Sequence, residues 1–419
     1  MKLWMRWEAS RQPFNAAEAG RKTIMDRLFS NSALLIPAKL HEAALLEGFR
    51  PERRTAIYLI YDLIVRECTR MKTKWAFISD RSFLKVVKNH TRKSTEKKWL
   101  EENGFIQIKK WRSEDGTLKN SKIPGRQCQG YKIVEQKGDC ILVDLWERRL
   151  AWPSYTQDDR FCQYTRDVLG QVELDEARVA RICSGQSEFS SLSLARRMAI
   201  LHWARTLRVG SGAIRRGRRV NRLYSPWTSA PRELRRACCL AGEPIVSIDL
   251  QASQPALIGL LAEDERFLRA CFNDELYGEV SKLFAVGRDE AKLIFLSYIY
   301  GRNRKQTARN NRAFLVQEYV AKEFPKTYSF VWDSKLQNYT AFACRLQNLE
   351  AELFLDGIFS EMMQQQMPAL TVHDSIAVPM SRQEGAVEIC QTVLGRTLGG
   401  KARMKVNQYG TGQEFAITI

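Results

Sequence analysis

PIVSIDLQASQPALIGLL, residues 244–261, changes character at its middle. From Ile245 to Leu250 the apolar residues run or alternate as in a buried strand, and from Pro255 onward the pattern is helical. Asp249 stands at the end of the strand. A carboxylate there faces whatever lies above the sheet and can ligate a metal; capping the following helix is the other ordinary use of an aspartate at such a point.

Two further segments bear on that choice. In VGRDEAKLIFLSYIYGRN (286–303) the residues Arg288, Lys292, Leu296 and Tyr300 fall at i, i+4, i+8 and i+12. Each step drifts only about 40° around a helix, so the row spans about 18 Å and one face carries two cations and an aromatic ring. That layout suits a nucleoside triphosphate laid along a helix; an amphipathic helix with a basic polar edge has the same pattern. ALTVHDSIAVPM (369–380) is an apolar strand interrupted by His373-Asp374-Ser375 and resumed at once, which predicts a hairpin with a polar tip. An aspartate buried between such strands is costly unless it meets a cation or donors, which makes Asp374 a natural partner for Asp249.

Taken in order, these motifs resemble the palm and fingers of family A DNA polymerases and the related phage-type single-subunit RNA polymerases. The resemblance covers about residues 240–419. Ser247–Leu257 is similar to the first metal-binding motif, Arg288, Lys292, Tyr300 and Gly301 match the fingers helix, and His373-Asp374-Ser375 matches the third motif. CRLQNLEAELF (344–354) is similar to the helix that approaches template and primer, and MKVNQYGTGQEF (404–415) to the closing strand. The resemblance implies two Mg²⁺ ions, replaceable by Mn²⁺, held by Asp249, Asp374 and the Leu250 carbonyl. It implies Arg288 and Lys292 on the triphosphate, Tyr300 at the nascent pair, His373 at the primer terminus, and Arg345 and Gln347 near template and primer.

Departures are equally specific. Leu296, with Phe295 alongside, stands where an aromatic residue is usual, and the DNA-polymerase pattern Asp-Tyr-Ser-Gln-x-Glu is absent. Ser253 and Ser375 are closer to the RNA enzymes. Gln254 falls where the DNA enzymes place a glutamate that blocks the ribose 2′-hydroxyl. Its length argues for dNTPs, whereas the two serines argue for tolerance of NTPs. Only 125 positions separate Asp249 from Asp374, so the fingers must be small.

Charge locates a second theme. The 419 residues carry 66 Lys+Arg against 47 Asp+Glu, a net +19, and the excess is concentrated. Residues 50–126 hold 20 basic and 9 acidic residues, and residues 205–236 hold ten arginines and one acid. Two basic surfaces on a near-neutral body suit a polyanion, although a solvated cationic surface has the same composition. Neither stretch reads as a membrane-binding amphipathic helix, and no segment has the apolar length of a membrane span.

The first basic stretch predicts helices over Thr55–Arg70, after the Ser79-Asp80 cap, and over Thr91–Asn103 with Gly104 closing the last. Strands Phe105–Trp111 and Gly130–Val134 follow, joined by a loop with Lys119, Lys122 and Arg126. This order resembles a winged-helix domain, which implies a third helix in the major groove offering Arg92, Lys93, Lys97 and Lys98. Use of such a domain for protein contacts alone is the alternative. In the second stretch, glycines predict an exposed loop in which Arg215, Arg216, Arg218 and Arg219 hold phosphates, or else a disordered linker.

The expected architecture is therefore α+β: a helical extension (1–50), a winged helix (51–140), a helical thumb-like region (141–240), and an antiparallel-sheet palm with small helical fingers (241–419). The expected function is a template-directed DNA polymerase, with priming as an extension, replicating a plasmid, phage or other mobile element. Its partners would be DNA template and primer, dNTPs, NTPs as the open alternative, and replication accessory proteins. A single-subunit RNA polymerase or primase and a non-catalytic initiator are the competing readings. Ten cysteines without a CxxC pair and a start, MKLWMRWEASRQ, without an apolar export segment predict a cytoplasmic protein with reduced thiols.

Overall fold

A computed structural model of the chain describes residues 29–30, 33–71, 75–87, 90–112, 118–120, 128–134, 140–145, 154–186, 189–303, 311–399, 402–409 and 412–418. It is a mixed α+β protein of two compact units, each made of several stretches of chain. One comprises residues 1–153, 174–211 and 229–237; the other comprises 154–173, 212–228 and 238–419. The stretch 141–240, expected to form one helical region, is shared between both. The reason is its apolar residues: Phe161, Cys162, Ile214 and Leu223 are buried in the same core as Val246, Ile248 and Val406. It is also not purely helical, since Tyr155–Thr156, Ala213–Arg216, Leu223–Tyr224 and Cys238–Leu240 are strands.

In the first unit the helix Pro51–Met71 buries Ile57, Ile60 and Ile64 completely. Ser79 Oγ accepts the Ser82 N–H at 3.1 Å and starts the helix Asp80–Val87. The third helix, His90–Glu102, ends where Gly104 turns into the left-handed region (φ 72°) and Phe105 N–H reaches back to the Leu100 carbonyl at 2.9 Å. Strands Ala76–Ile78, Gln129–Ile133 and Ile106–Ile108 form an antiparallel sheet beside these helices. The helical extension expected over residues 1–50 needs correction. Ala33–Pro37 is a fully buried strand paired with Cys140–Asp144, because five consecutive apolar residues need burial on both faces. A helix, Ala38–Leu46, follows it. Residues 1–28, with the loop cations Lys122 and Arg126 and the side chains of Arg92 and Lys119, lie outside the described residues.

The second unit is organised by one central strand, β1 (Glu243–Leu250), followed by the buried helix α1 (Ser253–Leu261). Two short helices, Glu265–Phe272 and Glu275–Phe284, lead to helix α2 (Arg288–Tyr300), and after a helix Arg312–Glu323 comes α3 (Pro325–Ala351). Asn338 interrupts α3 with an extended backbone (φ −157°, ψ 95°), and its Oδ1 accepts the N–H groups of Thr340 and Ala341 at 3.0 and 3.1 Å. It thus acts as an N-cap in the middle of the helix. The hairpin β2 (Leu370–Val372) and β3 (Ser375–Pro379) lies against β1 in the register Ile245↔Pro379 to Asp249↔Ser375. On the other side β4 (Arg403–Gln408) pairs with β1 from Val246↔Gln408 to Leu250↔Met404, and β5 (Glu414–Thr418) pairs with β4.

The arginine segment is a hairpin rather than a loop. Arg215 pairs with Tyr224 and Arg216 with Leu223, and Ala213 and Ile214 run parallel to Tyr155 and Thr156. Ile214 and Leu223 are buried, which anchors the strands. At the turn, a Cβ on Gly217 would meet the Val220 carbonyl oxygen at 2.3 Å, so only glycine fits. None of the ten cysteines is in a disulfide, and no described helix is long and apolar enough to cross a membrane.

Candidate active site

Asp249 and Asp374 are brought together by the sheet. Asp249 closes the β1 ladder opposite Ser375, and one residue farther on the Leu250 N–H donates to the Asp374 carbonyl at 3.2 Å. Both carboxylate-bearing residues are half-buried, while Leu250 is buried. The Asp374 carboxyl is held well above the usual carboxylate range, first by burial, then by the charges of Asp249 and Glu350, with Lys292 acting the other way. Three carboxylates and one ammonium thus share one electrostatic field. Next to Asp374, His373 takes a left-handed backbone (φ 58°) at the hairpin tip, with its ring edge-on to Tyr224 at 6.2 Å. That conformation is what a two-residue turn between β2 and β3 demands.

The cation row lies on α2 as its spacing predicts. Lys292, one turn on from Arg288, is exposed and its charge acts on Asp374. Arg288, the first helical residue, makes a two-pronged ion pair with Asp274 (2.7 and 2.6 Å) and lies over the Tyr277 ring at 5.5 Å. At the other end of the helix Tyr300 is hydrogen-bonded to the Gln347 side chain. Its hydroxyl pKa is pushed up to about 12 by burial and by the nearby negative charges of Glu350 and Asp374, against the charge of Arg222.

Gln254 sits in the first turn of α1 and is buried. Its Nε2 donates to Glu350 Oε1 at 2.6 Å, Ser253 Oγ donates to the same oxygen at 3.3 Å, and Arg222 pairs with the other Glu350 oxygen. Sequence reading missed Glu350, Arg222 and Asp274. Glu350 was within reach: it lies three residues after Gln347, hence on the same helix face. Asp274 carries no such signal, because it precedes the preceding helix and meets Arg288 only through the fold. Arg345, on the same part of α3 as Gln347, is exposed.

Arg215, Arg216 and Arg218 line a groove of about 760 Å³ with Tyr155, Gln157 and Asn221. Arg215 lies over Tyr224 at 5.5 Å; Arg216 is held by Asp356, the Asn221 carbonyl and the Phe161 ring; Arg218 and Arg219 are exposed. In the first unit, Lys93 and Lys97 do share a face, but it is the inward one. Lys93 is 5 % exposed and paired with Asp80 at 3.2 Å. Lys97 donates to the Tyr131 hydroxyl at 2.9 Å and lies over the Phe83 ring at 4.7 Å. The expected DNA-facing pair is therefore an internal one, because Asp80 and the aromatic rings offer these ammonium groups partners inside the unit. Lys98, 75 % exposed along its side chain, faces outward.

Among the described residues no group of three or more His, Cys, Asp or Glu is placed to hold a metal by itself. The set offered is two carboxylates and the Leu250 carbonyl. Mg²⁺ is commonly held by one or two carboxylates with substrate phosphates and water completing the shell, and two mutually repelling carboxylates are a set that a divalent cation stabilises.

No family model and no curated protein matches the chain. Among solved structures it is similar to the POL domain of Pol1 from M. smegmatis in complex with DNA primer-template and dNTP. The match has 13 % identity and a TM-score of 0.37, and it covers 49 % of this chain and 49 % of that one.

Proposed function

We propose that this chain is a template-directed nucleotidyltransferase: a DNA polymerase able to start as well as extend chains, serving the replication of a plasmid, phage or other mobile element. One observation carries the reading. The Asp374 carboxyl is acted on by Asp249, Glu350 and Lys292, so the paired strand-end aspartates and the cationic helix α2 address one point.

In this reading the second unit is a minimal right hand, with the β1–β5 sheet as palm and the helices around α2 as small fingers. Residues 51–135 are a winged-helix reader of duplex DNA. Two Mg²⁺ ions, or Mn²⁺, held by Asp249, Asp374 and the Leu250 carbonyl would lower the pKa of the primer 3′-hydroxyl and neutralise the leaving pyrophosphate. The chain's own residues position the reactants, which is most of the protein's task in phosphoryl transfer. Arg288 and Lys292 bind the triphosphate, with Arg288 exchanging Asp274 for phosphate. Tyr300 meets the nascent pair and is steadied by Gln347. His373 holds the primer terminus, and Arg345 lies beside template and primer. Arg215, Arg216, Arg218 and Arg219 track template phosphates.

The test is primer extension on a defined template with separate dNTP and NTP pools, comparing wild type with Asp374→Asn. Extension by wild type that the variant lacks is the expected result. Extension from NTPs alone would make the chain an RNA polymerase or primase. DNA binding with no extension from either pool would leave the non-catalytic initiator.

A further inference from the structure

The sheet of the first unit has two faces of different chemistry. Side chains alternate across its strands Ala76–Ile78, Gln129–Ile133 and Ile106–Ile108, and the face carrying Ala76, Tyr131 and Ile106 is buried on the helices. On the other face the register sets Phe77 opposite Gly130, whose carbonyl accepts the Lys109 N–H at 2.8 Å, and Lys132 opposite Gln107. Trp75, two residues before Phe77, shares that face, because the Lys109 ammonium lies 5.1 Å from the centre of the Phe77 ring and 6.0 Å from that of Trp75. Trp75, Phe77, Lys109 and Lys132 are half-buried and Gln107 is exposed. Gly130 brings these groups together: a Cβ there would stand 3.0 Å from the Lys109 Cβ and 3.2 Å from the Phe77 Cε1, so ring and stem lie in the room a side chain would fill. Covering a glycine accounts for Phe77 alone, whereas a second ring and two ammonium groups beside it have no part in that.

The charge on this face is of one sign, since residues 75–79, 105–110 and 128–134 contain no Asp or Glu. Aromatic rings interleaved with ammonium groups are matched by bases joined through phosphates. The faces of those bases must be open, which a duplex does not allow. Trp75 and Phe77 stand about 6.7 Å apart along the strand, twice the roughly 3.4 Å between stacked bases, so two neighbouring bases reach the two rings only after parting from each other. A three-stranded sheet is also too broad for the major groove, which admits a helix or a two-stranded ribbon.

We propose that this face of the first unit binds an unpaired DNA strand, with successive bases stacked on Trp75 and Phe77 and the neighbouring phosphates held by Lys109 and Lys132. The site is distinct from the hairpin arginines, which belong to the other unit, and from Lys98, whose helix lies under the opposite face and reaches Tyr131 through Lys97. The choice of DNA rests on the function proposed above; the binding itself needs no polymerase chemistry.

The experiment titrates a labelled oligo(dT), and a duplex of the same length, with the full chain carrying Tyr155→Ala and Arg218→Ala, which weaken the hairpin groove. In that background Trp75→Leu should weaken oligo(dT) binding about 5-fold or more with the salt slope unchanged, and Trp75→Phe, which keeps a ring, should restore it to within about 2-fold. Lys109→Ala should lower the salt slope by about 0.7. Duplex binding should move by less than about 2-fold in Trp75→Leu, because a paired base offers no face. Equal losses on both ligands would mark a structural role and overturn the proposal. So would oligo(dT) binding that Trp75→Leu and Lys109→Ala leave unchanged, the result expected of a face that meets a protein. If Trp75→Leu does not fold, cross-linking decides: an oligonucleotide carrying photoreactive iododeoxyuridine, irradiated with the wild-type chain, should leave adducts at Trp75 or Phe77, and adducts confined to other residues refute the site. Primer extension is read separately, so its failure would remove the polymerase reading without touching this result.

Discussion

The backbone N–H of Leu250 donates to the carbonyl of Asp374, extending the β1–β3 ladder one residue past its last Cα pair, Asp249 with Ser375. The two aspartates are thereby held on adjacent rungs by main-chain pairing. Substituting either side chain should leave the strands in place.

The first prediction follows from that pairing and from the raised pKa of Asp374. Asp249→Asn or Asp374→Asn should reduce primer extension at least about 10³-fold, since each removes charge from the reacting centre. Asp374→Asn should at the same time raise the melting temperature in EDTA, because the folded state disfavours the ionised carboxyl and asparagine relieves it. Near-normal extension by either variant, measured on a labelled primer, would exclude the paired-aspartate chemistry.

A second prediction separates binding from stability on α2. Arg288→Ala and Lys292→Ala should each raise KM for the nucleotide and lower kcat/KM about 10- to 100-fold. Loss of the exposed Arg288–Asp274 pair should change stability by no more than about 1 kcal/mol, as is general for ion pairs in water. Steady-state kinetics and a denaturant melt on the same preparations check both halves; a large loss of stability with unchanged KM contradicts the assignment.

In the first unit the two neighbouring lysines should behave oppositely. Lys97→Ala removes an ammonium held by Tyr131 and Asp80 and should destabilise by about 1–3 kcal/mol. Lys98→Ala should stay within about 0.5 kcal/mol of wild type yet reduce the salt dependence of duplex binding by up to about one unit of slope. Fluorescence anisotropy against salt, with thermal melts alongside, would show whether the roles are reversed.

The hairpin groove predicts a preference for single strands. Tyr155 is 56 % exposed beside Arg215 and Arg218, so a base can stack there while phosphates meet the guanidinium groups. Tyr155→Ala should weaken oligonucleotide binding by about 1–3 kcal/mol without altering the salt slope, and Arg218→Ala should lower the slope by about 0.7. Titrations in which both variants bind like wild type would remove the groove from the path of the template.

His202 supplies the pH dependence. Burial, Arg66 and Arg205 hold its pKa well below the ordinary 6.5, so the folded state keeps the ring neutral where the unfolded chain takes up a proton. Its contribution is therefore constant above about pH 6.5 and stability is lost as pH falls below it, by up to about 1.4 kcal/mol per pH unit until the folded pKa is reached. Melting temperatures between pH 7.5 and 5.5 should fall more steeply for wild type than for His202→Leu; parallel slopes would assign the effect elsewhere.

Local patterns made much of this legible. The strand ending at Asp249, the spacing of Arg288, Lys292 and Tyr300, and the hairpin around Asp374 are each written within about twenty residues, where periodicity and turn chemistry act. What pairs with them is not so written. Glu350 reaches Gln254 and Arg222 across nearly a hundred or more positions, and the sequence gives a buried ion pair no periodic mark. Lys93 and Lys97 misled for the converse reason: charge predicts exposure until a partner such as Asp80 is supplied by tertiary structure. The arginine segment read as a loop because its glycines outweighed Ile214 and Leu223, whose burial decides the outcome.

Asn338 divides α3 into a leading piece and a piece that begins afresh, and this has a consequence for how the chain tolerates change. Residues 339–351 take their rotational phase from the Asn338 cap and not from Pro325. An insertion or deletion in the leading piece would be absorbed at the cap and leave Gln347 and Glu350 facing as they do. The same one-residue change after Asn338 would turn both by about 100° and part them from Tyr300 and Gln254. Length variation across a lineage of such chains should therefore accumulate on the leading side of Asn338 and be absent from the thirteen residues after it.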